Sequence, residues 1–427
     1  MRLEGSRLVL IGGAGLIGSH TADRLLEEDV RELVIYDNFV RGRQENLAGA
    51  LKDPRVRIFD IGGDILQTDI LEAALEGADG VFHFAALWLL QCHEFPRSAF
   101  DVNVRGTFNV MEACVKQGVK RLVHSSSASV YGDAVEEPMG EDHPFNNRNF
   151  YGATKIAGEA MLRAYHHRYG LDYVGLRYMN VYGPRQDYRG AYIAVIMKML
   201  DAIDRGESPV VLGDGSEAFD FVAVEDCGLA NVRAMQAGTS DRFYNVGTGT
   251  RTSLKELAEL LIELTGSDRS VEYAPRSAAT LVRNRIGDPR RAAQEIGFTA
   301  EIPLREGLER LIAWRAAHKA EVEARRSAAS EATTTANSRP RARSVAREVR
   351  KSLNSASSKR IFRWRLRHQA GSSLEWESIF NCRKARVRPV SNALRPLNQR
   401  SGQAPNAPDC CSDTPRRHAR CAEQDRA

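Results

Sequence analysis

Short apolar runs alternate with amphipathic stretches over the first 180 residues or so of the chain. Arg7–Ile11 is a run of strand type, and it leads through a glycine-rich turn into a helical pattern that extends to Leu26. Strand-like runs recur at residues 33–36 and 122–124, and a helical pattern covers residues 151–169. Strands that alternate with helices in this way predict an α/β fold built on a doubly wound parallel sheet.

The pattern becomes mixed after this part of the chain. Helices are predicted over residues 193–204, 253–264 and 305–317. The second of them starts with a capping box, in which Ser253 and Glu256 satisfy each other's backbone amides. The last predicted helix should close the folded part of the chain.

The glycines after the first strand are typical of a dinucleotide-binding turn. Gly12, Gly13, Gly15 and Gly18 fit two spacings of the Rossmann fingerprint at once. Glycine is needed because the strand must turn tightly into a helix whose first amides face a pyrophosphate. The pattern therefore predicts a Rossmann-type fold and a dinucleotide cofactor.

Asp37 indicates which dinucleotide binds. It ends the second apolar run, about twenty residues beyond the glycines, where a carboxylate accepts hydrogen bonds from the adenine-side ribose. A carboxylate repels the 2′-phosphate of NADP, so the sequence favours NAD. Arg41 and Arg43 follow closely and act in the opposite direction.

Tyr151 and Lys155 are the strongest candidates for chemistry. They lie four residues apart at the start of a predicted helix, so both side chains project from one face. A nearby ammonium favours the phenolate form, and we therefore expect the pKa of Tyr151 to fall toward the working range, where tyrosine serves as a base.

With these motifs the sequence resembles the extended short-chain dehydrogenase/reductases, the NAD-dependent epimerase/dehydratase family that acts on nucleotide sugars, and within it the UDP-glucose 4-epimerases. The resemblance covers roughly residues 7–316. It rests on motifs in the expected order at residues 12–18, 36–38, 63–65, 83–86, 103–107, 125–132, 151–155 and 176–184.

The resemblance implies a role for each matching residue. The catalytic residues would be Ser127, Tyr151 and Lys155. The NAD site would include Gly12, Gly15, Leu16, Ile17, Gly18, Asp37, Asn38, Asp64, Ile65, Ala85, Ala86, Asn103 and Ser125, together with Tyr151 and Lys155. The substrate site would include Ser127, Tyr151, Asn180, Arg276 and Arg283, and no metal is expected.

The resemblance also implies two domains and a homodimer. Residues 1–180 would form the NAD-binding domain, to which a segment near 220–250 returns. Residues 181–316 would form most of a smaller substrate-binding domain.

Three features of the sequence bear on the reaction, and the first and third of them are departures from the family. The position that usually carries a diphosphate-binding arginine is Phe219, so Arg276, Arg283 and Arg285 become the candidate substitutes. Ala128 and Ser129 stand where the related 4,6-dehydratases carry an acidic pair, and elimination of water then lacks its acid and base. The segment 87–92 is apolar and bulky where it should lie near the sugar.

Charge is divided unevenly along the chain. Residues 318–427 hold 24 Lys and Arg against 10 Asp and Glu, a net charge of +14, and since the whole chain carries +5 the preceding residues carry −9. The tail, residues 317–427, lacks an apolar period and is predicted to be disordered. Its arginines and aromatics at 360–367 are only a weak nucleic-acid signal.

The remaining sequence features favour a cytoplasmic protein. No apolar run approaches the roughly 18 residues of a membrane span, and no signal peptide precedes the first strand. Cys92, Cys114 and Cys227 lie far apart, as expected for reduced thiols.

Two alternatives to an epimerase are consistent with this sequence. One is a nucleotide-sugar dehydrogenase, reductase, decarboxylase or dehydratase on the same scaffold. The other is a dinucleotide-sensing binding protein without catalysis, against which the intact Ser127, Tyr151 and Lys155 argue.

Overall fold

The computed structural model describes residues 1–186, 194–275 and 282–320. Arg276 and the tail from residue 321 onward, including the 360–367 segment, lie outside the described residues. The fold is of the α/β class.

The described residues contain fourteen strands, several of them very short. They are β1 (Arg7–Ile11), β2 (Glu32–Tyr36), β3 (Val56–Ile58), β4 (Gly80–His83), β5 (Arg121–Ser127), β6 (Tyr173–Tyr178), β7 (Asn180–Tyr182), β8 (Val210–Leu212), β9 (Ala218–Phe219), β10 (Phe221–Ala223), β11 (Arg242–Val246), β12 (Thr252–Ser253), β13 (Glu272–Ala274) and β14 (Asn284–Arg285).

The same residues contain eleven α-helices. They are α1 (Leu16–Leu25), α2 (Thr68–Leu75), α3 (Leu89–Glu94), α4 (Pro96–Ala99), α5 (Thr107–Lys116), α6 (Phe150–Tyr169), α7 (Val195–Asp204), α8 (Val224–Gln236), α9 (Leu254–Thr265), α10 (Arg290–Ile296) and α11 (Leu304–Ala317). A π-helical segment, Phe100–Gly106, joins α4 to α5, and 3₁₀ turns occupy Gln44–Leu47, Ala50–Lys52 and Ala128–Val130.

The central sheet has seven parallel strands in the order β11-β6-β5-β4-β1-β2-β3. This is the Rossmann order extended by β11 beyond β6. The strand order reverses between β1 and β4, and such switch points are where open parallel sheets bind ligands. The doubly wound Rossmann-type fold is therefore confirmed.

Alternate side chains of each central strand enter two different cores. In β1, Leu8 and Leu10 pack into one core, whereas Val9 and Ile11 pack into the other. Because both faces of a doubly wound sheet are covered by helices, its strands are apolar throughout, which explains the continuous apolar runs in the sequence.

A third core lies among the later elements. It is formed by buried side chains of α7, β10, α9 and α11, such as Met197, Phe221, Leu257 and Leu308. Three small sheets accompany it, and in one of them β9 pairs with both β12 and β14. The capping box of Ser253 and Glu256 is present at the start of α9.

The strand that carries the three serines is longer than predicted. β5 does not end at His124, because Ser125, Ser126 and Ser127 continue its pairing with β6. The serines are thus held rigidly by the sheet, and Ser127 is the last strand residue before the chain turns.

Candidate active site

The glycine turn leaves the first amides of α1 open to a ligand. Gly12 has φ +79°, and a Cβ there would lie 2.7 Å from the backbone nitrogen of Ala85. A Cβ at Gly18 would lie 2.6 Å from the carbonyl oxygen of Gly12. Gly15 begins the helix without a side-chain cap, so the amides of the first turn can face an anion.

Asp37 lies under the loop that follows β2 and is buried. Its carboxylate accepts hydrogen bonds from the amides of Ala14 at 2.9 Å and Phe39 at 2.8 Å. Burial raises the pKa of Asp37, and these two amides oppose that effect. Asp37 thereby ties the glycine turn to the loop, in addition to any contact with a ribose, while Asn38 is exposed and accepts from the Val40 amide.

Asn103 holds the loop after β4 in place. Its side-chain oxygen accepts from the Leu87 amide at 2.7 Å, and its NH₂ group donates to the Leu87 carbonyl at 2.8 Å and to Thr154 Oγ1 at 3.1 Å. Since these bonds occupy the amide, Asn103 shapes the loop that carries Trp88 and does not present a free amide to a cofactor.

Asp64 and Ile65, which were also predicted to bind the cofactor, make contacts within the protein. The Asp64 carboxylate accepts from the Leu66 amide, and the Asp64 carbonyl accepts from the Tyr36 hydroxyl at 2.9 Å. Ile65 is buried and packs against Gly106, where any Cβ would collide with it.

The three serines at the end of β5 have different partners. The Ser125 carbonyl accepts a hydrogen bond from Lys155 Nζ at 2.7 Å. Ser126 donates at 2.5 Å to Glu159, which is buried and paired with Arg177. The hydroxyl of Ser127 accepts from the Ser129 amide at 3.1 Å, and its interaction with Tyr151 lowers the pKa of that phenol.

Helix α6 brings Tyr151 and Lys155 to one face, as predicted. Lys155 Nζ lies 5.7 Å from the centre of the Tyr151 ring. Burial lowers the pKa of Lys155 to about 8, and the neighbouring Cys92 and Glu159 oppose this shift.

The expected fall in the pKa of Tyr151 is not observed in this structure. Burial raises it to about 12, because removing water from a phenol disfavours its charged form. Hydrogen bonding with Ser127 and the charges of Arg285 and Arg41 lower the pKa, and Cys92 raises it. Sequence spacing placed a lysine near this tyrosine but could not reveal the burial that raises its pKa.

Two buried histidines behind the lysine were not predicted as part of the site. His83 and His124 pair across β4 and β5, and their rings are 5.4 Å apart. Burial lowers the pKa of His83 to about 3 and that of His124 well below its usual value, and Lys155 adds to both shifts. Both imidazoles are therefore neutral, and they surround the lysine without adding positive charge.

A cavity of about 1140 Å³ connects the glycine turn to the catalytic candidates. Its wall includes Gly12, Gly15, Leu16, Ile17, Gly18, Ala86, Ser125, Ser127, Tyr151, Lys155 and Asn180, all of them predicted site residues. Trp88, Leu89, Phe219 and Arg285 also line it.

Several other predicted residues within the described ranges lie outside this cavity. Asp37, Asn38, Asp64, Ile65, Ala85 and Asn103 do not line it. Arg283 lines a separate cavity of about 400 Å³, so of the two candidate arginines that lie in the described ranges, Arg285 is the one that lines the large cavity.

The described residues contain neither a cluster of metal-binding side chains nor a membrane-spanning helix. Within residues 1–186, 194–275 and 282–320, no three His, Cys, Asp or Glu side chains gather where they could hold a metal ion. No helix in these ranges is long and apolar enough to cross a membrane.

Residues 8–247 match the NAD dependent epimerase/dehydratase family. The chain belongs to this family. It is 35% identical over 314 residues to a UDP-glucose 4-epimerase of Mycolicibacterium smegmatis, a match that covers 72% of this chain and 97% of the relative. The resemblance recognised in the sequence motifs is thus confirmed.

Solved structures of epimerases have the same fold. The UDP-N-acetylglucosamine 4-epimerase from Methanobrevibacter ruminantium, in complex with UDP-N-acetylmuramic acid, superposes with a TM-score of 0.69 at 32% identity and covers 74% of this chain and 99% of its own. The Thermus thermophilus UDP-glucose 4-epimerase in complex with NAD gives 0.65 at 30% identity, with coverage of 72% and 99%.

Proposed function

We propose that this chain is an NAD-dependent epimerase of a nucleotide-diphosphate sugar and that it acts at C4. The observation that carries the proposal is the single cavity bordered by Ser127, Tyr151, Lys155 and the glycine turn. Pockets for one small ligand reach about 1,000 Å³. The larger volume of 1140 Å³ leaves room for a cofactor and a substrate together.

The residues of the glycine turn fit a dinucleotide. Gly12 and Gly18 sit where a Cβ would strike backbone, and the uncapped first turn of α1 faces the cavity. The pyrophosphate would lie against Gly15, Leu16 and Ile17, and Lys155 would hold the nicotinamide-side ribose. When bound, NAD supplies the hydride acceptor that makes oxidation of a sugar carbinol reversible.

The chain's own residues move the proton. Ser127 orients the sugar hydroxyl, and Tyr151, as phenolate, removes its proton. Tyr151 then returns that proton once the sugar has presented its other face. Because the Ser127 hydroxyl contacts both Tyr151 and the turn after β5, it aligns the acceptor oxygen with the substrate.

Epimerisation is favoured over dehydration by the turn after β5. Ala128 and Ser129 are both buried and offer no carboxylic acid beside the sugar. Elimination requires an acid and a base on that side of the ring. A dehydrogenase or decarboxylase on this scaffold would instead release NADH or CO₂.

The deciding experiment is a substrate panel. Purified protein with NAD is mixed with UDP-, GDP- and dTDP-sugars, the products are separated by chromatography, and absorbance of reduced cofactor is followed. We expect an equilibrium mixture of C4 epimers without net NADH. Net NADH, CO₂ evolution, or no conversion of any sugar would each reject the epimerase.

We expect NAD to bind at least tenfold more tightly than NADP, a difference of about 1.4 kcal/mol. The buried Asp37 would place its carboxylate beside the 2′-phosphate of NADP, close to the Ala14 and Phe39 amides. Calorimetric titration of both cofactors measures the ratio, and Arg43→Gln should leave the preference for NAD in place. Equal affinities would show that Arg41 or Arg43 outweighs Asp37.

NAD affinity should fall as pH rises through 8. The pKa of Lys155 is lowered to about 8 by burial, so its ammonium loses its proton and its charge in this range and holds the nicotinamide-side ribose less strongly. Release of one proton limits the loss to about tenfold per pH unit.

Lys155→Met provides the comparison. This variant should bind NAD more weakly at pH 7 and show a flat pH profile, whereas the exposed Lys116→Met should behave as the unmodified protein does. A falling profile that persists in Lys155→Met would assign the titration to another group.

A homodimer completes the proposal. Phe100, Phe108 and Tyr169 are between 41% and 54% exposed on the π-helical segment, α5 and α6. Phe108 and Tyr169 both contact Tyr165, at ring-centre distances of 5.9 and 5.1 Å, and so form one aromatic face. A monomer mass in light scattering would contradict this part of the proposal.

A further inference from the structure

Arg285 reaches the catalytic cavity from the substrate side. Its strand β14 pairs with β9, which places Arg285 directly beside Phe219. The contact of its Nη2 with the Gly132 carbonyl is long, at 3.5 Å. Among the described residues, its buried Nε has no hydrogen-bond partner, and burying such a donor is costly.

Asp133, the carboxylate near Arg285, already accepts hydrogen bonds from backbone amides. One oxygen of Asp133 accepts from the amides of Arg283 at 2.7 Å and Asn284 at 3.0 Å. Burial lowers the pKa of Arg285 to about 10, and Asp133 and Tyr151 raise it. The guanidinium therefore remains charged at neutral pH and acts on Tyr151.

Lys155 is less well placed than Arg285 to act on the Tyr151 hydroxyl. Its ammonium donates to the Ser125 carbonyl at 2.7 Å and lies 5.7 Å from the centre of the Tyr151 ring. The imidazoles of His83 and His124 near it are neutral. Other titratable or charged groups that act on Tyr151 are Cys92 on α3, Arg41 on the loop after β2 and Arg285 on β14, and Asp133 and Arg148 line the same cavity.

We propose that Arg285 is a positioning residue that stabilises the phenolate form of Tyr151. This role rests on the proposed function, in which Tyr151 must be a phenolate to accept the sugar proton. Arg285 lines the same cavity as Tyr151, and its buried Nε is a donor without a hydrogen-bond partner. A cation within about 4–6 Å of a titrating group favours its charged form.

The test measures the ionisation of residue 151 directly. 3,5-Difluorotyrosine is introduced at position 151 of the full chain, since its more acidic phenol titrates where the protein is folded. The ¹⁹F shift is then followed against pH. In Arg285→Gln we expect the midpoint to rise by about one pH unit, which is about tenfold less phenolate at a fixed pH.

Two variants control the measurement. Arg290→Gln removes an arginine that is exposed and paired with Asp288 on the same stretch of chain, and it should leave the midpoint unchanged. Arg285→Lys restores a positive charge and should recover at least half of the shift. Circular dichroism shows whether each variant is folded. If Arg285→Gln does not fold, the ¹⁹F midpoint of Arg285→Lys tests the role of Arg285 instead.

Kinetics separate this role from substrate binding. If Arg285 stabilises the phenolate, its replacement lowers kcat and moves the acidic limb of the kcat pH profile upward. If Arg285 only binds the substrate diphosphate, its replacement raises KM. An unchanged ¹⁹F midpoint in Arg285→Gln overturns the proposal. The titration requires no turnover, so an inactive enzyme with a shifted midpoint would reject the epimerase but not the role of Arg285.

Discussion

Tyr151→Phe is expected to lower kcat by about 10²–10⁴-fold, the usual contribution of a positioned general acid or base. Phenylalanine keeps the ring that packs near Lys155 and removes only the oxygen that contacts Ser127. The loss should therefore appear in kcat and not in NAD affinity or thermal stability. Steady-state kinetics on the active sugar, cofactor titration and a melting curve measure the three quantities.

Ser127→Ala is the matched comparison for this variant. It removes one orienting hydrogen bond and leaves the base, so we expect a loss of about tenfold, equivalent to about 1.4 kcal/mol. A Tyr151→Phe enzyme that retains more than a tenth of the original kcat would show that another group takes the proton. If Ser127→Ala lowered kcat more than Tyr151→Phe does, Ser127 and not Tyr151 would be the group that takes the proton.

Local patterns in the sequence were sufficient for the framework of the fold. β1 has the predicted bounds, Arg7–Ile11, because the four apolar residues from Leu8 to Ile11 are buried on both faces and leave little choice of strand ends. Helix α9 begins at Leu254, directly after Ser253, because the capping box fixes its first turn through contacts three residues apart. Both signals are complete within a few residues.

The local part of the candidate site was predictable for the same reason. Gly12 to Gly18 and the pair Tyr151 and Lys155 act through short spacings, so their positions follow once the strand and the helix are placed. Asn103 shows the limit of this reasoning. Its hydrogen bonds join the π-helical segment to the loop after β4 and to Thr154 on α6, which are distant in sequence and meet only in the folded protein.

Properties that depend on tertiary burial could not be obtained from spacing. Lys155 stands four residues from Tyr151, yet burial dominates the pKa of both side chains. Arg285 reaches the cavity because β14 pairs with β9, a register set by distant parts of the chain. Nothing in the sequence near Phe219 indicates which of three arginines would lie beside it.

The pair Glu159 and Arg177 is another tertiary feature, and it lies next to the serines at the end of β5. Arg177 donates from Nε and Nη2 to the two carboxylate oxygens of Glu159 at 2.9 and 2.7 Å, with both side chains no more than 4% exposed. Ser126 donates to the same carboxylate at 2.5 Å. The pair thus links β5, β6 and α6, the three elements that carry the site.

Arg177→Met is expected to lower the free energy of unfolding by about 3–5 kcal/mol, because it leaves Glu159 buried without its cation. Denaturant unfolding measures the change. Arg24→Ala, which breaks an exposed pair with Glu27, should cost less than about 1 kcal/mol. The double variant Arg177→Met with Glu159→Leu should recover part of the loss, since no unpaired charge remains. If Arg177→Met costs no more than Arg24→Ala, water reaches this carboxylate, and the ion pair does not hold the serine strand against α6.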